Sequence, residues 1–317
     1  MTSIGGYFEL ELPQKAEYHK SALALNTGRN CLEYILRARG YKKVYLPYFS
    51  CEVLLEPFNK LGVEYCFYHI NGSLELEQTV TLQDGEALLY INYFGLKQDY
   101  VASLSATYGE QLIVDNTQAF YAKPIKGIDT FYSCRKFFGV ADGAYLYCSQ
   151  SLDIELEQDQ SWERMEYLLK RIDSSAEAAY ADFRAQSELL KNNPIRKMSK
   201  LTARIMASID YPGMAERRRV NFKQLDRAFG HLNGIKWNLT DDAVPMVYPF
   251  LTDDPSLRQH LIGNKIYVAQ YWPNVLQWCS PADTAYRLTQ SLLPLPIDQR
   301  YDEQEMTRII QTIYDRR

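Results

Sequence analysis

Short apolar runs alternate with helix-like segments through the first half of the chain, and this alternation constrains the fold more than any other feature. The strand-like runs cover residues 43–47, 63–70, 87–92, 112–115, 130–133 and 144–148. The helical segments between them cover residues 29–39, 51–61 and 100–108. Nearly continuous apolar strands separated by helices are typical of a mainly parallel sheet with both faces covered. We therefore predict an α/β fold with a mainly parallel central sheet flanked by helices.

The pattern changes after Ser149. Residues 161–183 place apolar side chains at three-to-four spacing, which predicts one long amphipathic helix. The sequence Asp210-Tyr211-Pro212-Gly213 predicts a turn that could serve as a hinge, followed by a helix over 214–229 and strands near 246–251 and 266–269. We predict a large domain over residues 1–205, with an N-terminal arm over 1–20, and a smaller α+β domain over 206–317.

Composition excludes several classes of protein. The 317 residues carry a formal net charge of −4, which gives no electrostatic reason to expect nucleic acid or an anionic membrane as partner. No apolar run approaches the roughly 18 residues that a membrane span needs, and the N-terminus lacks the order of a signal peptide. The six cysteines form no C-x-x-C pair and have no histidine at ligand spacing. We expect a soluble, cytoplasmic protein with reduced thiols and no metal site.

An aspartate and a lysine follow two successive strands. Asp115 ends an apolar run, so its carboxylate should lie at the carboxyl edge of the sheet, where α/β folds bind ligands. Lys136 follows the next strand, three residues after Ser133. Gly139 and Gly143 come before the strand that follows. Alone, Asp115 could be a turn residue and Lys136 a surface lysine, but together with Ser133 they indicate a specific site.

Pyridoxal 5′-phosphate requires this set of groups. It needs a lysine amine as covalent anchor and proton shuttle, and a carboxylate against its pyridine nitrogen. Its phosphate needs hydroxyl and backbone N–H groups, best supplied at a helix N-terminus. The polar turn at Thr27-Gly28-Arg29 opens a helix and meets the last requirement. The three parts therefore predict that Lys136 carries pyridoxal phosphate as a Schiff base.

The chain resembles the DegT/DnrJ/EryC1/StrS family of fold type I aminotransferases over about residues 20–150. The matching segments are Asn26-Thr27-Gly28-Arg29, residues 44–50, residues 90–95, residues 114–119 and Ser133-Cys134-Arg135-Lys136. The resemblance implies that Lys136 is the Schiff-base lysine and that Asp115 contacts the pyridine nitrogen. It also implies that Gln118 lies near the phenolic oxygen of the cofactor. The phosphate would be held by Ser133 and by the backbone of Thr27, Gly28 and Arg29.

The chain departs from the family pattern at three places. Thr117 replaces the small alanine of the usual Asp-x-Ala-Gln motif. Lys136 follows Ser133 by fewer residues than is common in the family. Many members place an aromatic ring on the face of the cofactor, and here that position falls on Cys51, unless Phe49 or Phe94 takes the role. These departures indicate a divergent, short member.

The resemblance implies an aminotransferase that acts on small molecules. The amino donor would be glutamate or a similar compound, and the acceptor a nucleotide-linked keto-sugar in surface polysaccharide or related biosynthesis. A homodimer with the active site near the subunit interface is the expected assembly. Two alternatives stay open, because a fold does not determine a reaction. One is a pyridoxal-dependent lyase, dehydratase or aldolase, and the other is a non-catalytic binding protein.

Other residues permit more than one interpretation. Arg135 could bind a substrate carboxylate or phosphate, or form a structural ion pair. Arg217-Arg218-Arg219 could reach a nucleotide diphosphate, but a solvated helix face is the simpler interpretation. Trp272 and Trp278 could stack on a base or sugar, or pack in the interior.

Overall fold

A seven-stranded sheet organises the first half of the chain in the computed structural model, which describes residues 4–316. Its elements in chain order are β1 (Leu23–Leu25), α1 (Gly28–Arg39), β2 (Lys43–Pro47), α2 (Glu56–Leu61), β3 (Glu64–Tyr68), β4 (Glu86–Ile91), α3 (Gln98–Tyr108), β5 (Leu112–Asn116), β6 (Asp129–Ser133) and β7 (Ala144–Tyr147). The strand order is β1-β7-β6-β5-β4-β2-β3. Strands β3, β2, β4, β5 and β6 pair in parallel, and β7 runs antiparallel to both of its neighbours. The predicted mainly parallel α/β sheet is confirmed.

Local sequence explains where α1 begins and ends. The Thr27 hydroxyl accepts a hydrogen bond from the backbone N–H of Asn30 at the start of the helix. At the other end Gly40 adopts φ 63°, a left-handed conformation that glycine adopts without steric strain. Residues 30–36 are all buried, so the middle of α1 is enclosed on every side, and Cys31 and Ile35 pack in the core around the sheet.

The long helix predicted over 161–183 is wrong, since the structure has two helices there. They are α4 (Glu166–Asp173) and α5 (Ala176–Glu188). Ser174 leaves the helical conformation, and the Ser175 hydroxyl accepts a hydrogen bond from the N–H of Ala178. Serine at this position favours a new helix start over continuation, because its hydroxyl replaces a missing backbone acceptor. A further short helix, α6 (Lys200–Met206), follows.

The turn predicted at residues 210–213 is also wrong, because α7 (Tyr211–Phe229) begins there. The Asp210 carboxylate accepts a hydrogen bond from the N–H of Gly213. Pro212 lies in the first helical turn, where its missing N–H has no helical partner to lose. A proline and a capping aspartate therefore start a helix here instead of forming a hinge.

The C-terminal part contains a second, smaller sheet. Its elements are β8 (Tyr248–Leu251), α8 (Leu257–Gly263), α9 (Val275–Trp278), α10 (Thr284–Ser291), β9 (Leu292–Leu295) and α11 (Glu303–Tyr314). Strand β8 pairs antiparallel with β9. The predicted strand over 266–269 is absent from the described residues, although Ile266 and Val268 are buried. The Arg258 guanidinium donates to the carbonyl groups of Val268 and Ala269. A side chain therefore makes the hydrogen bonds that a neighbouring strand would otherwise make with this backbone.

Two groups of packed apolar side chains accompany the two sheets. The larger surrounds the seven-stranded sheet, and the smaller begins at Phe222 and joins α7, α8 and α11 to the β8–β9 pair. The larger group also includes residues after 206, such as Tyr211, Val275 and Leu288, so the division near residues 205 and 206 stays a prediction. Residues 1–3 of the expected N-terminal arm lie outside the described residues. Among residues 4–316, no helix has the length and apolar character needed to cross a membrane.

Candidate active site

A cavity of about 160 Å³ lies at the carboxyl ends of β4, β5 and β6. Its walls contain all seven residues that the sequence selected: Thr27, Gly28, Arg29, Asp115, Gln118, Ser133 and Lys136. Strand register aligns the walls, because Asp115 pairs with Ile91 of β4 and Phe131 of β6, and both of these also line the cavity. The structure thus brings the sequence-selected residues to one place.

Lys136 and Asp115 are linked through Thr117. The Lys136 Nζ donates a hydrogen bond of 2.8 Å to the Thr117 Oγ1. The backbone N–H of Thr117 donates one of 2.7 Å to the Asp115 Oδ1. Asp115 is buried, whereas the Lys136 side chain is exposed to the cavity. A carboxylate and an accessible amine therefore face one space and are oriented by a single threonine.

The protein around the pair shifts both pKa values toward the neutral forms. Burial raises the pKa of Asp115 above its ordinary value, and the Lys136 charge and hydrogen bonds from Thr117 oppose this in part. The surrounding protein atoms lower the pKa of the Lys136 amine, while the Asp115 charge opposes that change. A neutral amine is the nucleophilic form, so the environment of Lys136 favours attack on a carbonyl carbon.

A tight backbone turn fixes the position of Lys136. Lys136 ends the short 3-10 turn that follows β6. The N–H of Cys134 donates to the carbonyl of Gly143, and the N–H of Gly143 donates to the carbonyl of Asn26. Gly143 has φ +106°, and a Cβ there would lie 2.9 Å from Thr202 Cγ2. The glycine therefore permits a close approach that no larger residue would permit, and this holds the lysine turn against the start of α1.

Gln118 lines the cavity and carries an unpaired side-chain donor. Its Oε1 accepts a hydrogen bond of 3.0 Å from the N–H of Phe94. Its Nε2 is buried and has no partner within residues 4–316. Because buried donors are nearly always satisfied, this amide suits an acceptor oxygen of a bound molecule.

The N-terminal turn of α1 forms another wall. The Thr27 hydroxyl is occupied in capping, since it donates to Asn30 Oδ1 at 2.6 Å and accepts from Asn30 N at 3.2 Å. The Arg29 guanidinium is paired with Glu56 at 2.7 Å. The backbone N–H groups of Gly28 and Arg29 are therefore what this turn offers to an anion, aided by the helix dipole. A Cβ at Gly28 would lie 3.3 Å from Thr117 Cγ2, so glycine keeps this approach open.

Of the three residues considered for the ring face, only Cys51 lines the cavity. Phe49 and Phe94 are completely buried, and Phe49 packs edge-on against Trp272 with ring centroids 5.0 Å apart. Trp272 does line the cavity, although the sequence left its role open between stacking and packing. Leu190 forms part of the wall as well, and no motif in the sequence pointed to it.

The arginine run on α7 is neither a uniformly solvated face nor a set of free phosphate ligands. Arg217 is exposed, but Arg218 is buried, with only 1% of its surface accessible. The Arg218 guanidinium donates to the carbonyl groups of Pro245 and Met246 and lies 4.6 Å from the ring centroid of Phe137. The expectation of a solvated face is therefore wrong for Arg218.

Comparison with known proteins shows similarity at the level of structure. No protein-family model matches the chain, and a search of curated proteins finds no match. Sugar aminotransferase CalS13 from Micromonospora echinospora superposes with a TM-score of 0.63 at 14% identity, covering 93% of this chain and 87% of that chain. A DegT DnrJ EryC1 StrS aminotransferase from Brucella abortus superposes with a TM-score of 0.59 at 15% identity, covering 93% and 85%.

A third similar structure holds a cofactor. It is NtdA from Bacillus subtilis with bound PMP, with a TM-score of 0.64 at 14% identity over 93% of this chain and 72% of that chain. At these identities the comparison establishes the fold. The chain shares the fold type I architecture of the CalS13 and Brucella abortus aminotransferases.

Proposed function

We propose that the protein is a pyridoxal-phosphate-dependent aminotransferase. The observation that carries this proposal is the single cavity that joins the Lys136 amine, the Asp115 carboxylate and the first turn of α1. The shared fold and the cofactor bound to NtdA support it. Within this proposal the non-catalytic alternative is disfavoured, because a binding protein would not need an accessible amine of lowered pKa beside a carboxylate.

The residues present fit the cofactor. Lys136 would anchor it covalently, Asp115 would accept a hydrogen bond from its pyridine nitrogen, and the unpaired Gln118 Nε2 would donate to its phenolic oxygen. Ser133 and the backbone N–H groups of Gly28 and Arg29 would hold its phosphate. When bound, this cofactor withdraws electrons from the carbon next to the substrate nitrogen.

The protein side chains supply orientation and proton transfer. The Thr117 hydroxyl accepts from Lys136 and fixes the direction of its Nζ. The lowered pKa of Lys136 makes its neutral form easier to reach, so its Nζ can take up and release a proton. Asp115 is held in place by the N–H of Thr117, so its second oxygen stays available to a partner in the cavity.

We further propose that glutamate or a similar donor supplies the amino group and that a nucleotide-linked keto-sugar accepts it. The family resemblance and the sugar aminotransferase fold of CalS13 support this assignment. The pathway would be surface polysaccharide or related biosynthesis, in the cytoplasm. Because the amine must move from donor to acceptor through one cavity, the two substrates would bind in turn.

Absorbance of the purified protein tests this function directly. After addition of pyridoxal phosphate, we expect a visible band that is lost on adding glutamate. The band should return when glutamate is removed and a nucleotide keto-sugar is supplied, with one amino-sugar formed per donor consumed. A bound cofactor that does not respond to any amino acid, but releases ammonia or cleaves a substrate, would instead assign the lyase class.

The assembly is proposed to be a homodimer. Large apolar side chains near the N-terminus are almost fully exposed in the single chain, including Tyr7 at 99% and Phe8 at 91%. Exposed apolar surface of this kind is typical of an interaction site. Light scattering at micromolar concentration should give twice the chain mass, and Tyr7→Asp with Phe8→Asp should weaken association. A monomer that still binds cofactor would contradict the proposal.

A further inference from the structure

Arg135 is a cation without an acidic partner on the cavity wall. It lies next to Lys136 and lines the same cavity. Within residues 4–316 its guanidinium makes no ion pair, and its one side-chain hydrogen bond is a long contact of 3.4 Å from Nη2 to the Ser187 Oγ. Its Nε is buried and has no partner in that range. The structural ion pair considered from the sequence is therefore not formed among the described residues.

Two other arginines of this chain have acidic partners. Arg29, on the same cavity, pairs with Glu56 at 2.7 Å and also donates to the Leu190 carbonyl. Arg39 pairs with Asp129 at 2.6 Å and with Glu110 at 3.1 Å. A buried guanidinium nitrogen that keeps no partner is unfavourable, because its lost hydration is not replaced. Arg135 differs from both arginines in having no acidic partner, and its buried Nε has no hydrogen-bond partner among residues 4–316.

Arg135 and the first turn of α1 both line the cavity, and both contact the region at the end of α5. Ser187, the contact of Arg135, lies on α5, and Arg29 of α1 donates to Leu190 just after that helix. Ser133, two residues earlier, lines the cavity from the same turn. Arg135, Ser133 and the first turn of α1 therefore line the same cavity, and each carries hydrogen-bond donors.

We propose that Arg135 binds an oxyanion in this cavity. Its planar fork suits two oxygens of a phosphate or carboxylate at once. Two sources have this chemistry, the cofactor phosphate and the carboxylate of the amino donor. The inference rests on the proposed function for the identity of both sources, but anion binding by Arg135 can be measured without any turnover.

The first experiment separates the phosphate from the rest of the cofactor. Dissociation constants of pyridoxal phosphate and of pyridoxal are measured for the full-length protein and for Arg135→Gln. If the cofactor phosphate is the anion, Arg135→Gln weakens pyridoxal phosphate about 10- to 100-fold and leaves pyridoxal within twofold. Arg184→Gln is the matched control, since it removes the same charge from an exposed site on α5.

The second experiment tests the donor carboxylate. Glutarate, a dicarboxylate that cannot react, is titrated into cofactor-loaded protein and its affinity is read from the change in absorbance. If the carboxylate is the anion, Arg135→Gln weakens glutarate about tenfold or more while the ratio of pyridoxal phosphate to pyridoxal affinity stays unchanged. The inference is overturned if both ligands bind Arg135→Gln within twofold of wild type.

A second variant guards against misfolding. Arg135→Lys keeps the charge but loses the two-pronged geometry, so we expect an affinity loss between wild type and Arg135→Gln. Thermal melting must show that the variant compared is folded; wild-type affinities in folded Arg135→Lys and Arg135→Gln overturn the inference. If Arg135→Gln loses anion affinity but the wild-type protein shows no aminotransferase activity, the anion site is supported and the proposed function is refuted.

Discussion

Two cationic side chains, Lys136 and Arg218, lie near Phe137 but differ in solvent exposure and in hydrogen bonding. Arg218 is sealed from solvent, and burial lowers its pKa to about 10. Its donors reach backbone carbonyl groups and Gln299, so its hydrogen bonding is satisfied within the chain. Lys136 opens to the cavity and has one hydrogen bond, to Thr117. A cation satisfied by the protein is structural, whereas one with spare capacity on a cavity is available to a ligand.

The largest expected effect is loss of covalent cofactor attachment in Lys136→Ala. Borohydride reduction of wild-type protein with pyridoxal phosphate should add the cofactor to the peptide that contains Lys136, because this amine is accessible and its pKa is lowered. Mass spectrometry should find no such adduct in Lys136→Ala. Lys60→Ala, which removes a lysine paired with Glu33, is the control and should label normally. Equal labelling of another lysine in Lys136→Ala would refute the assignment.

Asp115→Asn should slow the half-reaction with glutamate about a thousandfold, or roughly 4 kcal/mol in barrier height. An amide lacks the negative charge that keeps the cofactor nitrogen protonated, so the chemical step suffers more than cofactor binding. Single-turnover rates and melting temperatures measure the two effects.

Asp129→Asn is the matched control for Asp115. Asp129 is also buried at the sheet, but it pairs with Arg39 and does not line the cavity. We expect this variant to lower stability and to react at the wild-type rate. If Asp115→Asn behaves in the same way, Asp115 is a structural residue.

Arg218→Met should lower the free energy of unfolding by about 4 kcal/mol, since it leaves buried carbonyl groups without donors. The folded fraction should still attach cofactor at Lys136. Urea unfolding and borohydride labelling give the two readouts. A variant as stable as wild type would show that the contacts of Arg218 do not have the structural role assigned to them.

His19, like Arg218, is a buried side chain whose hydrogen bonds are made within the protein, and it titrates. Its Nε2 contacts the Phe120 carbonyl at 2.8 Å, and burial lowers its pKa from 6.5 to about 4. A depressed histidine pKa favours the neutral form in the folded state. Its stabilisation is therefore complete above pH 6.5 and is lost as the pH falls toward 4.

That loss should amount to roughly 3 kcal/mol between pH 7 and pH 4. His19→Phe removes the titration, so its free energy of unfolding should fall less over this range. Urea unfolding of both proteins at several pH values gives the difference. Parallel pH profiles would exclude His19 as the source.

The smallest expected effect is at Thr117, where Thr117→Val removes the hydroxyl that orients Lys136 but keeps the shape. The rate of cofactor attachment should fall about tenfold, or roughly 1.4 kcal/mol. Thr117→Ser keeps the hydroxyl and should stay within threefold of wild type. Thr289→Val is the control, because Thr289 is a buried threonine that bonds the Ala285 carbonyl. Equal rates in Thr117→Val and Thr117→Ser would show that the hydroxyl has no positioning role.

The sequence predicts the part of the site that is local to strand ends. Asp115 lies near the end of β5 and Lys136 lies just after β6, and these strands pair in parallel, so the proximity of the two residues follows from topology. The role of Thr117 as the bridge was not predicted, because a hydrogen bond between side chains depends on rotamers that spacing does not reveal. Leu190 was missed because its approach depends on tertiary packing over a long sequence separation.

The errors in the fold have the same origin. Ser174 and Ser175 interrupt an apolar periodicity that by itself indicates one helix. The segment 266–269 buries apolar side chains as a strand would, but the Arg258 guanidinium donates hydrogen bonds to its carbonyl groups. In each case a polar side chain bonds the backbone and overrides the apolar pattern.

The cavity walls come from widely separated parts of the chain, from Thr27 to Trp272. This has a consequence for the order of events on the ribosome. A nascent chain that has emerged as far as β7 contains Asp115 and Lys136, but the Leu190 and Trp272 side chains that complete the enclosure have not yet been made. Because folding during synthesis proceeds from the N-terminus, the carboxylate and the amine lack these two walls until the later residues have emerged. Enclosure of the site therefore depends on residues that are synthesised well after the Asp115–Lys136 pair.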